Sequence, residues 1–406
     1  MVEFFATDLD PARLDRARRM LADLRTVPAL ADRYAALADL DSVADLAAVP
    51  VMRKDDLQAA LAHLRPRAAQ GATWIFQSGG STGAPQVGHA PTGLYMREVY
   101  EHWQPLGPDD VFVNGWSAGK MWGAHFLVNA YVDHTGCTAM NVGALGREEH
   151  VPWLEFFAGR GVTAIGGTPS VLALLFASAR DAGVKLPDLR SVLWLGEAWD
   201  ARIDDDLRAV APDARRWGMF GSTETWVIAT NTPDCAADTW HPLPSQLIAV
   251  GEDEMLDFTS LHPQGLNPVL RYRTGDAGRF VECGCGRPGR AVRVLGRRDG
   301  LVKFRGHLLN IADFVDDVAA RLGVARAQLA VRAPADRGAV LEVLVLPDRD
   351  AGPDLADQVR RHLLGSGFGP SIVFQRNPDA LEVTVVDALI ANPRTGKVGN
   401  LVHRDG

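Results

Sequence analysis

The stretch "WIFQSGGSTGAPQVGH" (Trp74–His89) joins an apolar run to a turn that carries almost no side-chain bulk. Its four glycines allow successive backbone N–H groups to converge on one point, and Ser78, Ser81 and Thr82 add short hydroxyl donors. Such a turn is suited to binding a phosphate. It matches neither the nucleotide P-loop, which requires a lysine before the hydroxyl residue, nor the dinucleotide pattern G-x-G-x-x-G. A flexible glycine–serine surface loop is the alternative for this stretch taken by itself.

The length and composition indicate a soluble globular protein. At 406 residues the chain exceeds the usual size of a single domain, so we expect two domains or one large domain with an appendage. Hydrophobic residues make up 47% of the chain and charged residues 23%, which is ordinary for a soluble protein. The net charge of −8, without any basic run, disfavours nucleic-acid binding.

The N-terminal stretch and the cysteine content predict a cytoplasmic location. The stretch "MVEFFATDLDPARLDRARRM" has acidic residues where a signal peptide has basic ones, and it lacks a long apolar core. No window approaches about 18 apolar residues, so no membrane-spanning helix and no membrane partner are expected. Four cysteines in the whole chain argue against a disulfide scaffold.

Three apolar runs in the first half of the chain are each followed by glycine and alternate with helical segments. They are "DVFVNGW" (110–116), "VTAIGG" (162–167) and "SVLWLGE" (191–197). This alternation predicts β/α units whose functional loops follow the ends of the strands. From about residue 300, "AVLEVLVLPDRD", "DLADQVRRHLLG" and "LEVTVVDAL" predict a small α+β unit of roughly a hundred residues.

Four further motifs follow the opening stretch along the chain: "FGSTETW" (Phe220–Trp226), "YRTGD" (Tyr272–Asp276), "GRRDGLVKFRGH" (Gly296–His307) and "NPRTGKVGN" (Asn392–Asn400). Together, the five motifs resemble those of the adenylate-forming superfamily of acyl-CoA synthetases, peptide-synthetase adenylation domains and luciferases. The short chain and the stretch "LAAVPVMRKDDL" resemble the phenylacetate-CoA ligase branch. The resemblance implies a large N-terminal α/β adenylation domain (1–298) for ATP and acid. It also implies a small, mobile α+β C-terminal domain (299–406) with its hinge at Asp299.

Members of this superfamily activate a carboxylate, which attacks the α-phosphate of ATP and expels pyrophosphate. This reaction requires positive charge, Mg²⁺ and phosphate donors. The resemblance implies that Thr223 contacts the α-phosphate and that Glu224 holds Mg²⁺. It also implies that a mobile loop carries Lys397 to the α-phosphate and the attacking carboxylate. The residues that it assigns to ATP or AMP binding are Ser78, Gly79, Gly80, Ser81, Thr82, Gly83, Glu197, Phe220, Gly221, Ser222, Tyr272, Asp276 and Arg297.

Several nucleotide contacts follow from the same resemblance. Phe220 is expected to stack on adenine, and Tyr272 to lie along the adenosine. Asp276 suits the two ribose hydroxyls, and Arg297 is expected to reach the ribose or a phosphate. Glu197 occupies the position of a family turn near adenine and substrate. The structural alternative is an ordinary turn for Asp276 and a solvated side chain for Arg297, and for Glu224 it is an acid that caps the N-terminus of a helix.

Two positions of the glycine-rich turn depart from the family pattern. The family often has a lysine where this chain has Gln86, and a second serine where it has Gly79. We therefore expect a weaker hold on phosphate rather than a loss of activity.

Three cysteines and one histidine form a candidate metal site. Cys235 and His241 lie six residues apart, and Cys283 and Cys285 lie two apart. Such a Cys₃His set is sufficient for a closed tetrahedral structural Zn²⁺ site, and the resembled branch has a similar arrangement. Small buried hydrophobic residues and a satisfied core histidine are the alternative.

The substrate is predicted to be an aromatic carboxylic acid. The chain has ten tryptophans, several of them next to the presumed active-site loops, and their flat side chains suit an aryl acid. Core packing is the alternative for any one of them. The residues predicted to form the acid pocket are Trp122, Gly166, Gly167, Thr168 and Trp226.

The acceptor is expected to be a thiol, either of coenzyme A or of a carrier protein. Two other functions stay open at the level of sequence. Some relatives in the branch join nitrite to an aryl amine as a diazo group, and they use the same nucleotide motifs. A catalytically retired ATP-binding module is the third possibility. The presence of Lys397, Glu224 and Asp276 argues against it.

Overall fold

The computed structural model describes residues 2–6, 8–77, 87–119, 121–297, 301–304, 307–332, 340–365, 374, 378–393 and 395–404. They separate into two units. The first contains residues up to Leu295 together with 395–397, and the second contains Gly296–Pro393 and the chain from Val398 onward. The predicted hinge, Asp299, lies outside the described residues. The domain roles and the hinge therefore stay predictions.

The helices of the first unit carry the start and stop signals expected from the sequence. Helix α1 begins at Pro11, and the Asp10 side chain accepts a hydrogen bond from the backbone N–H of Arg13 at 2.9 Å. Helix α7 begins at Pro169 and ends before Gly183, whose φ of 72° suits a residue without Cβ. The bounds are α1 Pro11–Thr26, α2 Ala31–Ala35, α3 Lys54–Leu64, α4 Met96–His102, α5 Ala124–Val132, α6 His150–Gly159, α7 Pro169–Ala182 and α8 Arg202–Val210.

Strands β1 to β14 extend from the N-terminus to the end of the first unit. The three glycine-followed runs predicted as strands are β4, β6 and β7, which confirms that prediction. The bounds are β1 Glu3–Phe4, β2 Thr73–Gln77, β3 Val87–Pro91, β4 Val111–Asn114, β5 Thr138–Asn141, β6 Ala164–Gly167, β7 Ser191–Leu195, β8 Arg215–Ser222, β9 Trp226–Asn231, β10 Thr239–Pro242, β11 Gln246–Val250, β12 Met255–Ser260, β13 Tyr272–Val281 and β14 Ala291–Arg297.

Among the described residues, twelve of these strands form one mixed sheet in the order β1-β11-β12-β13-β14-β10-β9-β8-β7-β6-β4-β5. Strands β5, β4, β6, β7 and β8 are parallel, and β9 to β12 pair antiparallel with their neighbours. Strands β2 and β3 form a separate antiparallel hairpin. The parallel strands end at one edge of the sheet, where ligands bind in folds of this kind.

Both faces of the parallel region are buried, because the side chains of each strand alternate between two cores. Val113, Ile165 and Val192 belong to a core that includes residues of α6 and α7. Their neighbours Phe112 and Leu193 belong to a second core, which includes residues of α4 and α5. This double burial explains why the strands read as continuous apolar runs rather than as alternating patterns.

A buried ion-pair network fixes the start of β13. Arg271 donates to the Asp257 carboxylate at 3.0 Å and to the backbone carbonyls of Ala47 and Val49, both at 2.7 Å. The Asp257 side chain is fully buried, and the neighbouring Arg273 occupies its other oxygen. The N-terminal helical region is thereby tied to the strand that begins with Tyr272.

The second unit has the α+β composition that the sequence predicts. Its helices pack on a four-stranded sheet of order β19-β18-β17-β20, beside a short hairpin of β15 and β16. The predicted large α/β part and small α+β part are thus confirmed. No helix among the described residues has the length and apolar character needed to cross a membrane. The bounds are β15 Leu301–Phe304, β16 His307–Asn310, α9 Ile311–Ala319, β17 Val324–Arg332, β18 Val340–Pro347, α10 Leu355–Gly365, β19 Leu381–Val385 and β20 Leu401–Arg404.

Candidate active site

Lys397 lies against the turn that follows β7. Its Nζ atom is 5.7 Å from the centre of the Trp122 ring, within cation–π range. A Cβ atom added to Gly196 would lie 2.7 Å from both Nζ and Cε of Lys397. Gly196 therefore leaves the space that the lysine side chain occupies. The structure brings the predicted catalytic lysine and the predicted pocket residue Trp122 together beside Glu197.

The Glu197 carboxylate is held at the N-terminus of α7. One of its oxygens accepts hydrogen bonds from the backbone N–H of Ser170 at 2.9 Å and from the Ser170 hydroxyl at 2.7 Å. The N-terminus of a helix favours a negative charge through its free N–H groups and its dipole. This anchoring orients Glu197, which lies two residues beyond β7. The sequence predicted a role for Glu197 but not its hydrogen bonds with Ser170.

The turn with the predicted catalytic pair Thr223 and Glu224 joins β8 to β9. The hydroxyls of Ser222 and Thr225 lie 3.0 Å apart and close the turn. Trp226 has a φ of 63°, an uncommon conformation for a bulky residue. Glu224 is 6% exposed and lies in a strand-to-strand turn. That position rules out the alternative in which Glu224 caps a helix.

Asn267 fixes this turn to β3, and sequence reasoning missed it. Its side-chain amide donates to the Glu224 carbonyl at 2.6 Å, and its oxygen accepts the His89 N–H at 2.9 Å. At Gly88 an added Cβ would lie 2.0 Å from the Thr223 carbonyl oxygen, so only glycine permits this close approach. The strand after the glycine-rich stretch is therefore packed directly on the turn. The one available signal was that Asn267 lies five residues before the "YRTGD" motif.

Trp226, a predicted residue of the acid pocket, is fixed by a hydrogen bond and by an aromatic contact. Trp226 is 7% exposed, its indole N–H donates to the His89 carbonyl at 3.2 Å, and its ring contacts Phe76 edge-on. Burial lowers the pKa of His89 below its usual value, which favours the neutral ring. The Trp226 side chain is held in place, because its indole is hydrogen-bonded to His89 as well as packed against Phe76.

The space beside Gly166 is occupied by another tryptophan. A Cβ added to Gly166 would lie 2.3 Å from the Trp116 ring, which is 1% exposed. Asn114 and His125 hold the backbone of Trp116. The Trp116 N–H donates to the Asn114 side-chain oxygen at 3.2 Å, and the Trp116 carbonyl lies 2.7 Å from Nδ1 of His125. Gly166 thus accommodates an indole of the chain itself. The hydroxyl of Thr168 is buried and has no hydrogen-bond partner among the described residues.

The residues predicted to contact the nucleotide differ in their burial and in their neighbours. Tyr272 is 1% exposed at the start of β13, and Asp276 accepts a hydrogen bond from the Thr274 hydroxyl at 2.6 Å. The Phe220 ring lies 5.5 Å from that of Trp240. Arg297 is exposed in the second unit.

The remaining nucleotide-site predictions concern the residues next to Ser222 and the glycine-rich turn. A Cβ on Gly221 would lie 1.9 Å from the Trp226 carbonyl oxygen, so this glycine permits the tight turn. Gly167, which was predicted for the acid pocket, lies at the buried end of β6. The predicted phosphate-binding residues and the departure Gln86 lie outside the described residues, namely Ser78, Gly79, Gly80, Ser81, Thr82, Gly83 and Gln86.

The four predicted zinc ligands come together. Ligand atoms of Cys235, His241, Cys283 and Cys285 all lie within 4.8 Å of one another, and Nε2 of His241 is 3.2 Å from Sγ of Cys285. In a tetrahedral site with Zn–S bonds of about 2.3 Å, neighbouring sulfurs are about 3.8 Å apart. The four cysteines of the chain, including Cys137 outside this cluster, are free thiols. The donor set and its spacing fit zinc.

Electrostatics at two members of this cluster, His241 and Cys285, suit metal ligation. Burial, together with the positive charge of Arg287, lowers the pKa of His241 to about 4, so the imidazole is neutral and able to ligate. Burial raises the pKa of the Cys283 thiol to about 11 in the absence of metal. At Cys285 burial acts in the same direction, but the Arg287 N–H and the neighbouring thiols bring the pKa below its usual value. Arg287 thus places a positive charge beside the three sulfurs.

Comparisons with known proteins identify the family of the chain. The family described as AMP-binding enzyme matches residues 14–257. The phenyloxazoline synthase MbtB of Mycobacterium sp. (strain MCS) is 25% identical over 67% of this chain. The phenylacetate-coenzyme A ligase of Aromatoleum evansii is 23% identical over 66% of this chain. The chain spans 25% of the length of the first relative and 64% of the second.

Solved structures have the same fold. The 2-hydroxyisobutyryl-CoA ligase in complex with 2-HIB-AMP superposes with a TM-score of 0.66 at 15% identity, covering 98% of this chain and 91% of that one. ATP-bound MatB from Rhodopseudomonas palustris gives a TM-score of 0.56 at 19% identity, covering 81% of this chain and 66% of that one. The resemblance predicted from five motifs is therefore confirmed, and the chain belongs to the family of AMP-binding enzymes.

Proposed function

We propose that this chain is an adenylate-forming ligase that activates a carboxylic acid with ATP and transfers the acyl group to a thiol. A carboxylate oxygen attacks the α-phosphorus, the bond to the bridging oxygen breaks, and pyrophosphate leaves. The thiol sulfur then attacks the acyl carbonyl, loses its proton, and AMP leaves. The observation that carries the proposal is the position of Lys397 against Gly196 and Trp122, beside Glu197.

The charges of the site support this chemistry. Two oxyanions approach each other in adenylation, so a cation is needed between them, and Lys397 supplies one at a strand end. Glu224, a buried carboxylate in a turn fixed by Asn267, is the residue that would hold Mg²⁺. When bound, the ion would neutralise phosphate charge. Thr223, beside Glu224 in the same turn, is proposed to contact the α-phosphate.

The acid is proposed to be aromatic, as the sequence predicts. Trp122 and Trp226 support an apolar, flat-walled pocket, being 5% and 7% exposed. Trp116 limits how much of this pocket is open, because it fills the space beside Gly166. A small or flat acid is therefore favoured over a bulky branched one.

The acceptor is proposed to be the thiol of coenzyme A or of a carrier protein. Two relatives support this class: one is named a phenylacetate-coenzyme A ligase, and another a nonribosomal peptide synthetase, agiA of Aspergillus flavus, of which this chain matches 2% of the length. Coenzyme A and a carrier protein would each present a thiol to the activated acyl group.

We also propose that Cys235, His241, Cys283 and Cys285 hold one structural Zn²⁺. The sulfurs and the neutral imidazole form a complete four-ligand set, which leaves no open position for catalysis. Bound zinc would tie β10 to the turn between β13 and β14. Its contribution is therefore to the stability of the first unit.

Pyrophosphate release from ATP tests the proposed activity. The assay uses a panel of aromatic and aliphatic acids, with nitrite plus an aryl amine as a separate arm. We expect release with one class of acids and its loss in Lys397→Ala. Lys185→Ala is the matched control, because Lys185 is an exposed lysine of the same unit whose ammonium bonds, among the described residues, the Ala209 carbonyl alone.

Each result of this assay decides between the functions. Release with nitrite and amine alone would replace the ligase by diazo-group formation. Absence of release in every arm would identify a retired ATP-binding module. Equal loss in Lys397→Ala and Lys185→Ala would refute the role of Lys397.

A further inference from the structure

One buried side chain of the second unit holds both ends of the loop that carries Lys397. Gln328 lies in β17, and its amide nitrogen donates to the Ile390 carbonyl at 2.9 Å and to the Gly399 carbonyl at 2.8 Å. Its amide oxygen accepts the Ile390 N–H at 2.8 Å. Three hydrogen bonds from one carboxamide therefore close the segment from Ile390 to Gly399, and Lys397 lies inside it.

The position of Gln328 makes this clamp stiff. The residue is fully buried, and both N–H groups of its amide are used. Removing a partner from buried backbone groups leaves them without compensation for the water they have lost. The same strand also fixes the chain just beyond the loop, because Leu329 donates its N–H to the Asn400 carbonyl at 2.8 Å. Arg326 adds a bond to the Val398 carbonyl at 3.1 Å.

The loop itself is short and internally bonded. Only Val398 separates Lys397 from Gly399, and the Lys397 N–H donates to the Thr395 hydroxyl at 3.3 Å. Thr395 is 2% exposed, and Gly396 has a φ of 70°, which suits a residue without Cβ. A displacement at Gly399 is therefore transmitted to Lys397 through one intervening residue.

We propose that Gln328 is a positioning residue for adenylation: its buried carboxamide sets the path of the loop and thereby the place of the Lys397 ammonium. The proposal rests on the proposed role of Lys397. Gln328 itself contacts neither nucleotide nor acid in this assignment. A change of about 1 Å in the position of a catalytic group lowers rates by up to about a hundredfold, so a clamp of this kind affects turnover directly.

The test compares the two half-reactions in the full chain. Gln328→Met keeps the length of the side chain and removes all three hydrogen bonds, whereas Gln328→Glu keeps the acceptor and removes the donors. We expect the kcat of acid-dependent pyrophosphate release to fall about ten- to a hundredfold in Gln328→Met, with KM for ATP within about twofold. Transfer from a supplied acyl-adenylate to a thiol, which does not use Lys397, is expected to stay within about twofold of wild type.

Val343→Ala controls for loss of stability, because Val343 is equally buried on the neighbouring strand β18 but bonds no part of the loop. If Gln328→Met lowers both half-reactions together, or no more than Val343→Ala lowers them, Gln328 is merely structural and the proposal is overturned. If wild type releases no pyrophosphate with any acid, the proposed function fails first.

Hydrogen exchange provides a readout that is independent of activity. In Gln328→Met the Ile390 amide loses its acceptor, so we expect its exchange to accelerate at least tenfold while the amides of β18 keep their wild-type rates. Unchanged protection at Ile390 would show that the clamp does not hold the loop. That result would overturn the inference even if the enzyme proves to be a ligase.

Discussion

Gly196→Ala is expected to impair adenylation by displacing Lys397. The new methyl carbon would lie 2.7 Å from Nζ and Cε of the lysine, whereas carbon atoms pack at about 3.5–4.0 Å. The lysine must therefore move by about 1 Å, which can lower the rate up to about a hundredfold. Gly196 also has a φ of 94°, so the alanine adds strain of about 1–2 kcal/mol.

Gly183→Ala separates the two effects. Gly183 has a comparable φ of 72° at the end of α7, but an added Cβ there meets no atom within 4 Å. Both variants should lose a similar free energy of unfolding in urea, and only Gly196→Ala should lose kcat in the pyrophosphate-release assay. A Gly196→Ala enzyme within about threefold of wild type, or an equal loss in Gly183→Ala, would refute the reasoning.

The other expectations concern the ribose, the Glu224 turn and the metal. Asp276→Ala should raise KM for ATP about ten- to a hundredfold, since charge-assisted hydrogen bonds worth ~1.5–3 kcal/mol are lost; an unchanged KM would contradict its role. Asn267→Leu should lower the free energy of unfolding by about 1–3 kcal/mol, because it leaves the His89 N–H and the Glu224 carbonyl unpaired; urea titration checks this. Metal analysis should find about one zinc per chain, lost in Cys283→Ser and retained in Cys137→Ser; a metal-free wild type would end the zinc proposal.

Much of the fold was predictable because local signals and the tertiary arrangement agree. Asp10 and Pro11 mark the start of α1, and the glycine-followed apolar runs are β4, β6 and β7. These patterns depend on neighbours within a few residues, which the sequence displays directly. The predicted metal ligands meet as well, although His241 and Cys285 are 44 residues apart in the sequence; here the residue types, three cysteines and one histidine, were the signal.

The supporting residues were not predictable, because their partners are distant in the sequence. Asn267 is 178 residues from His89 and 43 from Glu224, the two partners it joins. Gly166 was predicted to form part of the acid pocket, and the structure places the Trp116 ring where a side chain at that position would lie. The sequence shows only that a glycine is present, and the structure identifies the atoms that a side chain at that position would meet.

The contact between Gly88 and Thr223 has a consequence for how two segments of the predicted nucleotide site communicate. Gly88 lies at the start of β3, the hairpin strand after the glycine-rich stretch, and Thr223 belongs to the turn after β8, yet no side chain separates them. The Asn267 side-chain amide is hydrogen-bonded to His89, which follows Gly88, and to Glu224, which follows Thr223. The two segments therefore move as one body, so a ligand that orders either one also reduces the motion of the other.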